Sequence, residues 1–234
     1  GALDRDAQPL LFDRLDWFRL VERHTPPPGK LLVLRAQDGG RRGWLFLKAD
    51  TGRARPLANW YSLHFGIVGE GDGLADAFVG ALRRQRIHAA ELSPLLAGDP
   101  IVPAFRNAGW LARAAPVTAA WRMTTTGLDF DAYWANRPVR LRNTAERRAK
   151  AAALDITIHT GFDPAAWADY GAVYPADWKP AEGSPEFLRA LAEQEGGAGT
   201  LRLGIARKDD APVAAQLWLV EGGVATIHKL AYVE

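Results

Sequence analysis

The chain has 234 residues, of which 48% are hydrophobic and 24% charged, with a formal net charge of +2. That length can bury a full core in one large domain or two small ones, and so small a charge does not argue for a nucleic-acid partner. There is no cysteine, which excludes disulfides, thiolate metal sites and cysteine nucleophiles; with a polar opening (GALDRDAQ) and no apolar run of about eighteen residues, the expectation is a cytoplasmic protein without membrane insertion.

Residues 11–24 (LFDRLDWFRLVERH) predict a helix with Leu11, Leu15 and Phe18 on one face, flanked by Trp17 and Val21. Pro26-Pro27-Pro28-Gly29 ends it. Residues 31–35 and 44–48 read as a hairpin around Asp38-Gly39-Gly40, and residues 57–65 as a third, aromatic-rich strand. The glycine-dense GIVGEGDG (66–73) opens a helix over 74–86, with Leu74, Phe78 and Leu82 four apart and Asp72 as the expected N-cap. A short strand near 88–92, a helix near 100–108 and a strand near 117–123 complete a mixed sheet with helices.

Residues 129–154 differ in character. Tyr133 and Trp134 precede Pro138, and RLRNTAERRAKAAAL then predicts a basic helix with Leu141, Ala145 and Ala149 along its apolar side. A strand at 155–159 follows, and Asp163-Pro164 starts a helix carrying Trp167, Tyr170 and Tyr174 on one face. The loop YPADWKPAEGSP leads into a helix over 184–195. Three strands come after it (TLRLGIA, PVAAQLWLV, VATIHKLAYVE), separated by turns at Lys208-Asp209-Asp210 and Gly222-Gly223. The order helix, strand, turn, strand, turn, strand therefore occurs twice, from Leu11 and from Ser184. The expected division is a first unit at 1–128, a basic helical connector at 129–154 and a second unit at 155–234. The second copy reads as incomplete, because the first continues into glycines and a helix.

Several stretches could carry chemistry. GIVGEGDG before a helix could cradle a phosphate, but Glu70 and Asp72 would repel one, and the spacing is neither a P-loop nor a dinucleotide fingerprint; a plain turn is the other reading. The basic helix, with Arg140, Arg142, Arg147, Arg148 and Lys150, is either a solvated or interdomain face or a grip on a phosphorylated ligand or RNA, and Arg142 is taken as substrate-binding. The loop 174–183 gathers Tyr174, Asp177, Trp178, Lys179 and Glu182. There Trp178 could cover a substrate, Lys179 could hold an anion, and Asp177 or Glu182 could act as a base; alternatively Trp178 plugs the core. His228 and Lys229 interrupt an apolar strand, as Gln216 interrupts its neighbour. Strict alternation sends Ile227, Lys229 and Ala231 to one face and Thr226, His228, Leu230 and Tyr232 to the other. His228 is either a general base or a satisfied half-buried histidine. No HExxH pattern or carboxylate cluster suggests a metal, and no GxSxG elbow is present.

Taken in order, PLANWYS (56–62), FDAYW with RLRNTAERRAKAA (130–152), YPADWKPAEGSPEFLRAL (174–191), LRLGIARKDDAPVAAQLWLV (201–220) and HKLAYVE (228–234) resemble the GNAT-type acyltransferases of the CelD-like and Fem-like kind. The resemblance implies an α/β (α+β) fold of two tandem GNAT-like units, each a mixed, mostly antiparallel sheet flanked by helices, the second truncated at the C-terminus. It implies acyl transfer to an amine or hydroxyl of a small-molecule acceptor, in cell-envelope or polysaccharide metabolism. The donor would be an acyl-CoA such as acetyl-CoA, or aminoacyl-tRNA if the chain is Fem-like, with no metal. Val224–Glu234 would be the splayed strand offering a backbone N–H to the thioester carbonyl, and His228 and Asp177 would be catalytic. Tyr174, Trp178, Lys179, Gln216, Lys229 and Arg142 would meet substrate, and Asn59 and Tyr61 would match the family's polar-aromatic motif at an acceptor site between the units. The CoA pyrophosphate loop would be expected after Glu234, so a longer chain, a dimer or a partner chain would complete the second unit. A non-catalytic module that binds a glycan or peptidoglycan precursor is the alternative.

Overall fold

The structure is a computed structural model and describes residues 1–119, 121–176 and 180–233. The elements in chain order are α1 (Leu15–His24), β1 (Lys30–Asp38), β2 (Arg41–Asp50), β3 (Arg53–Pro56), α2 (Leu74–Arg84), β4 (Ala89–Ala90), α3 (Ile101–Asn107), α4 (Phe130–Ala135), α5 (Val139–Ala152), β5 (Asp155–His159), α6 (Pro164–Val173), α7 (Pro185–Gly197), β6 (Leu201–Lys208), β7 (Ala211–Glu221) and β8 (Val224–Tyr232). They form two compact units, one of residues 1–117 with 184–191 and the other of residues 118–183 with 192–234.

The first unit is built on a sheet of order β1-β2-β3-β4, antiparallel except for the short parallel pairing of β3 with β4. Its hairpins close through Gly39-Gly40 and Thr51-Gly52, all four residues at positive φ. Such two-residue turns suit the right-handed twist of strands. β2 is covered on both faces. Leu45 and Leu47 pack with Phe78, Val79 and Leu82 of α2 and Phe105 of α3, while Phe46 stacks on Phe18 of α1 with ring centroids 3.9 Å apart. Each such side chain contributes about 1.5–3 kcal/mol when fully buried. On the α1 side, Lys48 is buried and ion-paired to Glu22 at 2.9 Å.

Three expectations for this unit are corrected. Residues 57–65 are not a strand: the ladder stops at Pro56. Asn59 then captures the backbone, its Oδ1 accepting from Tyr61 N at 3.0 Å, a side-chain turn that competes with extended pairing. Residues 117–119 and 121–123 form no strand either; Val117 and Trp121 are exposed, and no described strand pairs with them, as an apolar alternation needs. Asp72 does not cap α2. Gly73 holds that position, and Asp38 of the β1–β2 turn accepts its N–H at 2.9 Å. A carboxylate thus occupies the anion-attracting end of α2, which favours the plain-turn reading of GIVGEGDG. Gly69 in that loop sits at φ +114, where an added Cβ would lie 2.3 Å from Arg42 O.

α2 and α3 end in the same way. Ile87 N donates to Leu82 O and Arg86 N to Arg83 O; Trp110 N donates to Phe105 O and Gly109 N to Arg106 O. This double bond pattern needs a left-handed residue after the cap, normally glycine. α3 uses Gly109, but α2 uses Arg86 at φ +58, at a cost of about 1–2 kcal/mol.

The second unit is an antiparallel sheet of order β5-β6-β7-β8. Its hairpin turns are Asp209-Asp210 and Gly222-Gly223, again with every residue at positive φ. One face buries Leu201, Leu203, Ile205, Ala215, Leu217, Leu219 and Ala231. α6 packs there, burying Ala166, Tyr170 and Val173. It starts as expected, with Asp163 accepting from Ala165 N and Ala166 N ahead of Pro164. The alternate residues, among them Ile156, Ile158, Gln216, Trp218 and Val220, line a concavity of about 410 Å³ on the opposite face. α4 and α5 are counted with this unit. The apolar side of α5, with Leu141, Ala145 and Ala149, buries nothing, and no residue of that helix is buried.

Candidate active site

The expected alternation along β8 breaks at His228. Leu217 pairs with Lys229, but Trp218 pairs with Ile227. His228 is therefore an extra residue, a β-bulge that leaves it outside the regular ladder. The bulge resets the faces. Lys229 pairs with buried Leu217 and Ala231 with buried Ala215, whereas Ile227 lies opposite Trp218 on the open face. Ile227 and Lys229 are thus not on one side, because a single inserted residue inverts a period of two.

On the α6 side the bulge meets a cluster of ionisable and aromatic groups. Lys229 Nζ donates to Glu182 Oε1 at 3.0 Å and lies 5.3 Å from the centroid of the Tyr174 ring. Tyr170 Oη donates to Glu182 Oε2 at 3.3 Å. The aromatic face of α6 supplies the wall: Trp167 stacks on Tyr170 at 4.9 Å, and Tyr170 lies 5.8 Å from Tyr174. The Glu182 side chain is only 9% exposed, so its charge depends on these donors. His228 is half-buried as a residue, but both ring nitrogens are closed off from water. Burial, helped by the Lys229 charge and opposed by Glu182, pushes its pKa down to about 4. The imidazole is therefore neutral at pH 7, in its proton-accepting form.

The structure brings together Tyr174, Glu182, His228 and Lys229 of the expected candidates, and adds Tyr170. Asp177, Trp178 and Lys179 lie outside the described residues. Gln216 is on the opposite face of the sheet, accepting from Trp218 Nε1 at 2.9 Å. Arg142 is half-buried on α5, and its Nε makes no hydrogen bond. Asn59 and Tyr61 belong to the first unit, where both have structural work. Asn59 Nδ2 donates to Thr25 Oγ1 at 2.7 Å. Tyr61 accepts from Ser184 N at 2.9 Å and stacks on Phe187 at 4.9 Å. Among the described residues no group of three or more His, Cys, Asp or Glu is placed to hold a metal, and no helix is long and apolar enough to cross a membrane.

What residue-by-residue reading missed is the bulge and the reach of Glu182 to Lys229 across 47 positions. The one visible hint was the polar His228-Lys229 pair in an apolar strand.

Comparison with known proteins agrees with this frame. Residues 137–234 match the family model of the acetyltransferase (GNAT) domain. Among solved structures, the fold is similar to the C-terminal domain of a candidate lysylphosphatidylglycerol synthetase from Agrobacterium fabrum, with a TM-score of 0.52 and 14% identity. The alignment covers 97% of this chain and 65% of that one, so the chain spans a little under two thirds of that domain. No match was found among curated proteins. Residues 137–234 thus form a GNAT domain, within a mixed α/β fold of two four-stranded sheets flanked by helices.

Proposed function

We propose that the second unit transfers an acyl group from an acyl-CoA thioester to an amine or hydroxyl of a small molecule, at the β8 bulge. The observation that carries this reading is the bulge itself, at Leu217/Trp218 within the GNAT match and beside the Glu182–Lys229 pair. A bulge turns backbone N–H groups out of the ladder, and an N–H fixed in that way can hold the oxygen of a carbonyl as it becomes an oxyanion. The acceptor's nitrogen or oxygen attacks the thioester carbon, the new C–N or C–O bond forms, and the C–S bond breaks. The thiolate leaves as a thiol by taking up one proton, and the acceptor loses one. Neutral His228 receives the acceptor's proton. Lys229, tied to Glu182 and lying over Tyr174, fixes the strand on the side where the histidine is enclosed.

The test is a thiol-release assay, which has no background from a chain without cysteine. Acetyl-CoA and longer acyl-CoAs are offered with a panel of amines and hydroxyl compounds. Acceptor-dependent CoA release is expected, reduced about a hundredfold or more in His228→Gln, as for loss of a general base. A second donor class is tested alongside, by transfer of a labelled aminoacyl group from tRNA, because the solved neighbour is named for a lysyl product. Transfer from aminoacyl-tRNA alone would replace acyl-CoA as the donor. Tight binding of a glycan with no transfer from either donor would leave the non-catalytic reading and end this one.

A further inference from the structure

Beside the C-terminal ends of α2 and α3, in the first unit, lies an open surface cavity of about 570 Å³, lined by Arg83, Arg86, His88, Gly109, Trp110 and their neighbours. We infer that this cavity binds the phosphate group of a small phosphorylated molecule, with Arg86 and His88 as its ligands and Arg83 beside them. Three basic side chains line it and no carboxylate does.

Basic residues near helix C-termini often serve only the exposed carbonyls, but here several of those carbonyls already have partners. Leu82, Arg83, Phe105 and Arg106 accept from the backbone N–H groups of the two helix ends, and Ala108 O accepts from Arg83. Among the described residues the Arg86 and His88 side chains make no hydrogen bond or ion pair. The Arg86 backbone and the His88 ring are nonetheless constrained. Arg86 occupies a left-handed position that glycine would fill without strain. A residue kept in a sparsely populated conformation is a pointer to function. His88 lies against Gly52, where an added Cβ would come within 2.0 Å of its Cε1. The Arg83 guanidinium covers the Trp110 ring at 5.9 Å, and the indole N–H beneath is enclosed with no hydrogen-bond partner. An anion that draws Arg83 outward would open that donor to one of its oxygens. The volume exceeds what bare phosphate needs and lies within the usual range for small-molecule sites. Arginine pairs well with phosphate oxygens.

The test is calorimetry on the full chain with inorganic phosphate, pyrophosphate, ADP and glycerol 3-phosphate, at low and high salt. These arms separate free anion, nucleotide and lipid-headgroup sources of the same chemistry. At least one organic phosphate is expected to bind, weakening as salt rises. Arg86→Gly should weaken it by about tenfold or more, the loss of one charge-assisted hydrogen bond. The glycine removes the cation while relaxing the backbone, so the variant's unfolding midpoint should hold or rise, which separates lost binding from lost folding. Absence of binding in every arm, or equal binding by Arg86→Gly, overturns the inference. So does binding abolished by Lys229→Met but untouched by Arg86→Gly, which would place the phosphate in the other unit.

Discussion

Replacing His228 by Gln should remove a pH dependence that belongs to the second unit. In the folded chain the imidazole titrates at about 4 against an ordinary value of 6.5. Above about pH 7 it is neutral folded or unfolded and contributes no slope. As pH falls from 6.5 towards 4, the unfolded chain takes up a proton that the folded chain refuses, so unfolding becomes easier. Stability therefore rises with pH through that window and levels off above it. At 1.36 kcal/mol per unit, the enclosed imidazole costs the wild type roughly 2–3 kcal/mol between pH 7.5 and pH 4.5. Glutamine does not titrate, so His228→Gln should lack this part of the acid sensitivity while keeping every other carboxylate effect. Hydrogen exchange of the β7 and β8 amides at the two pH values reports the second unit alone. Equal losses in wild type and variant would refute the argument, and would mean that water reaches the ring.

Two further outcomes follow from the packing. Glu182→Ala leaves Lys229 in a largely enclosed site without its carboxylate and should cost the second unit about 3 kcal/mol, much of it recovered in Glu182→Ala/Lys229→Met; urea titrations of the three chains measure this. Phe187→Ala removes a fully buried ring that stacks on Tyr61 and meets the edge of Trp17 at 5.4 Å, and should cost about 3–5 kcal/mol, read as a fall in the first unit's thermal midpoint.

Much of the fold was legible because its signals are local. Asp38-Gly39-Gly40 and Gly222-Gly223 demand left-handed turns, and the apolar alternation on either side sets the strands they join. The helix after Asp163-Pro164 carries its own cap. The failures share one cause. Residues 57–65 alternate well enough to be a strand, but the last bond to β2 is from Leu57 N to Phe46 O, and Asn59 then offers the backbone a rival partner. Arg86 gives no sign in sequence that it stands where glycine is usual. Asp38 displaces Asp72 as the partner of the α2 N-terminus from 35 residues away.

By itself the sequence determined most of the elements, their doubled order and the likeness to an acyltransferase family, because periodicity, turn residues and caps act within a few positions. The candidate site was decided by tertiary structure. One residue inserted opposite Leu217 and Trp218 moves Lys229 to the side of Glu182 and leaves His228 enclosed and neutral. A bulge changes no composition and no pattern that can be read along the chain. It exists only as a mismatch between two paired strands, so it becomes visible only when β7 and β8 lie side by side.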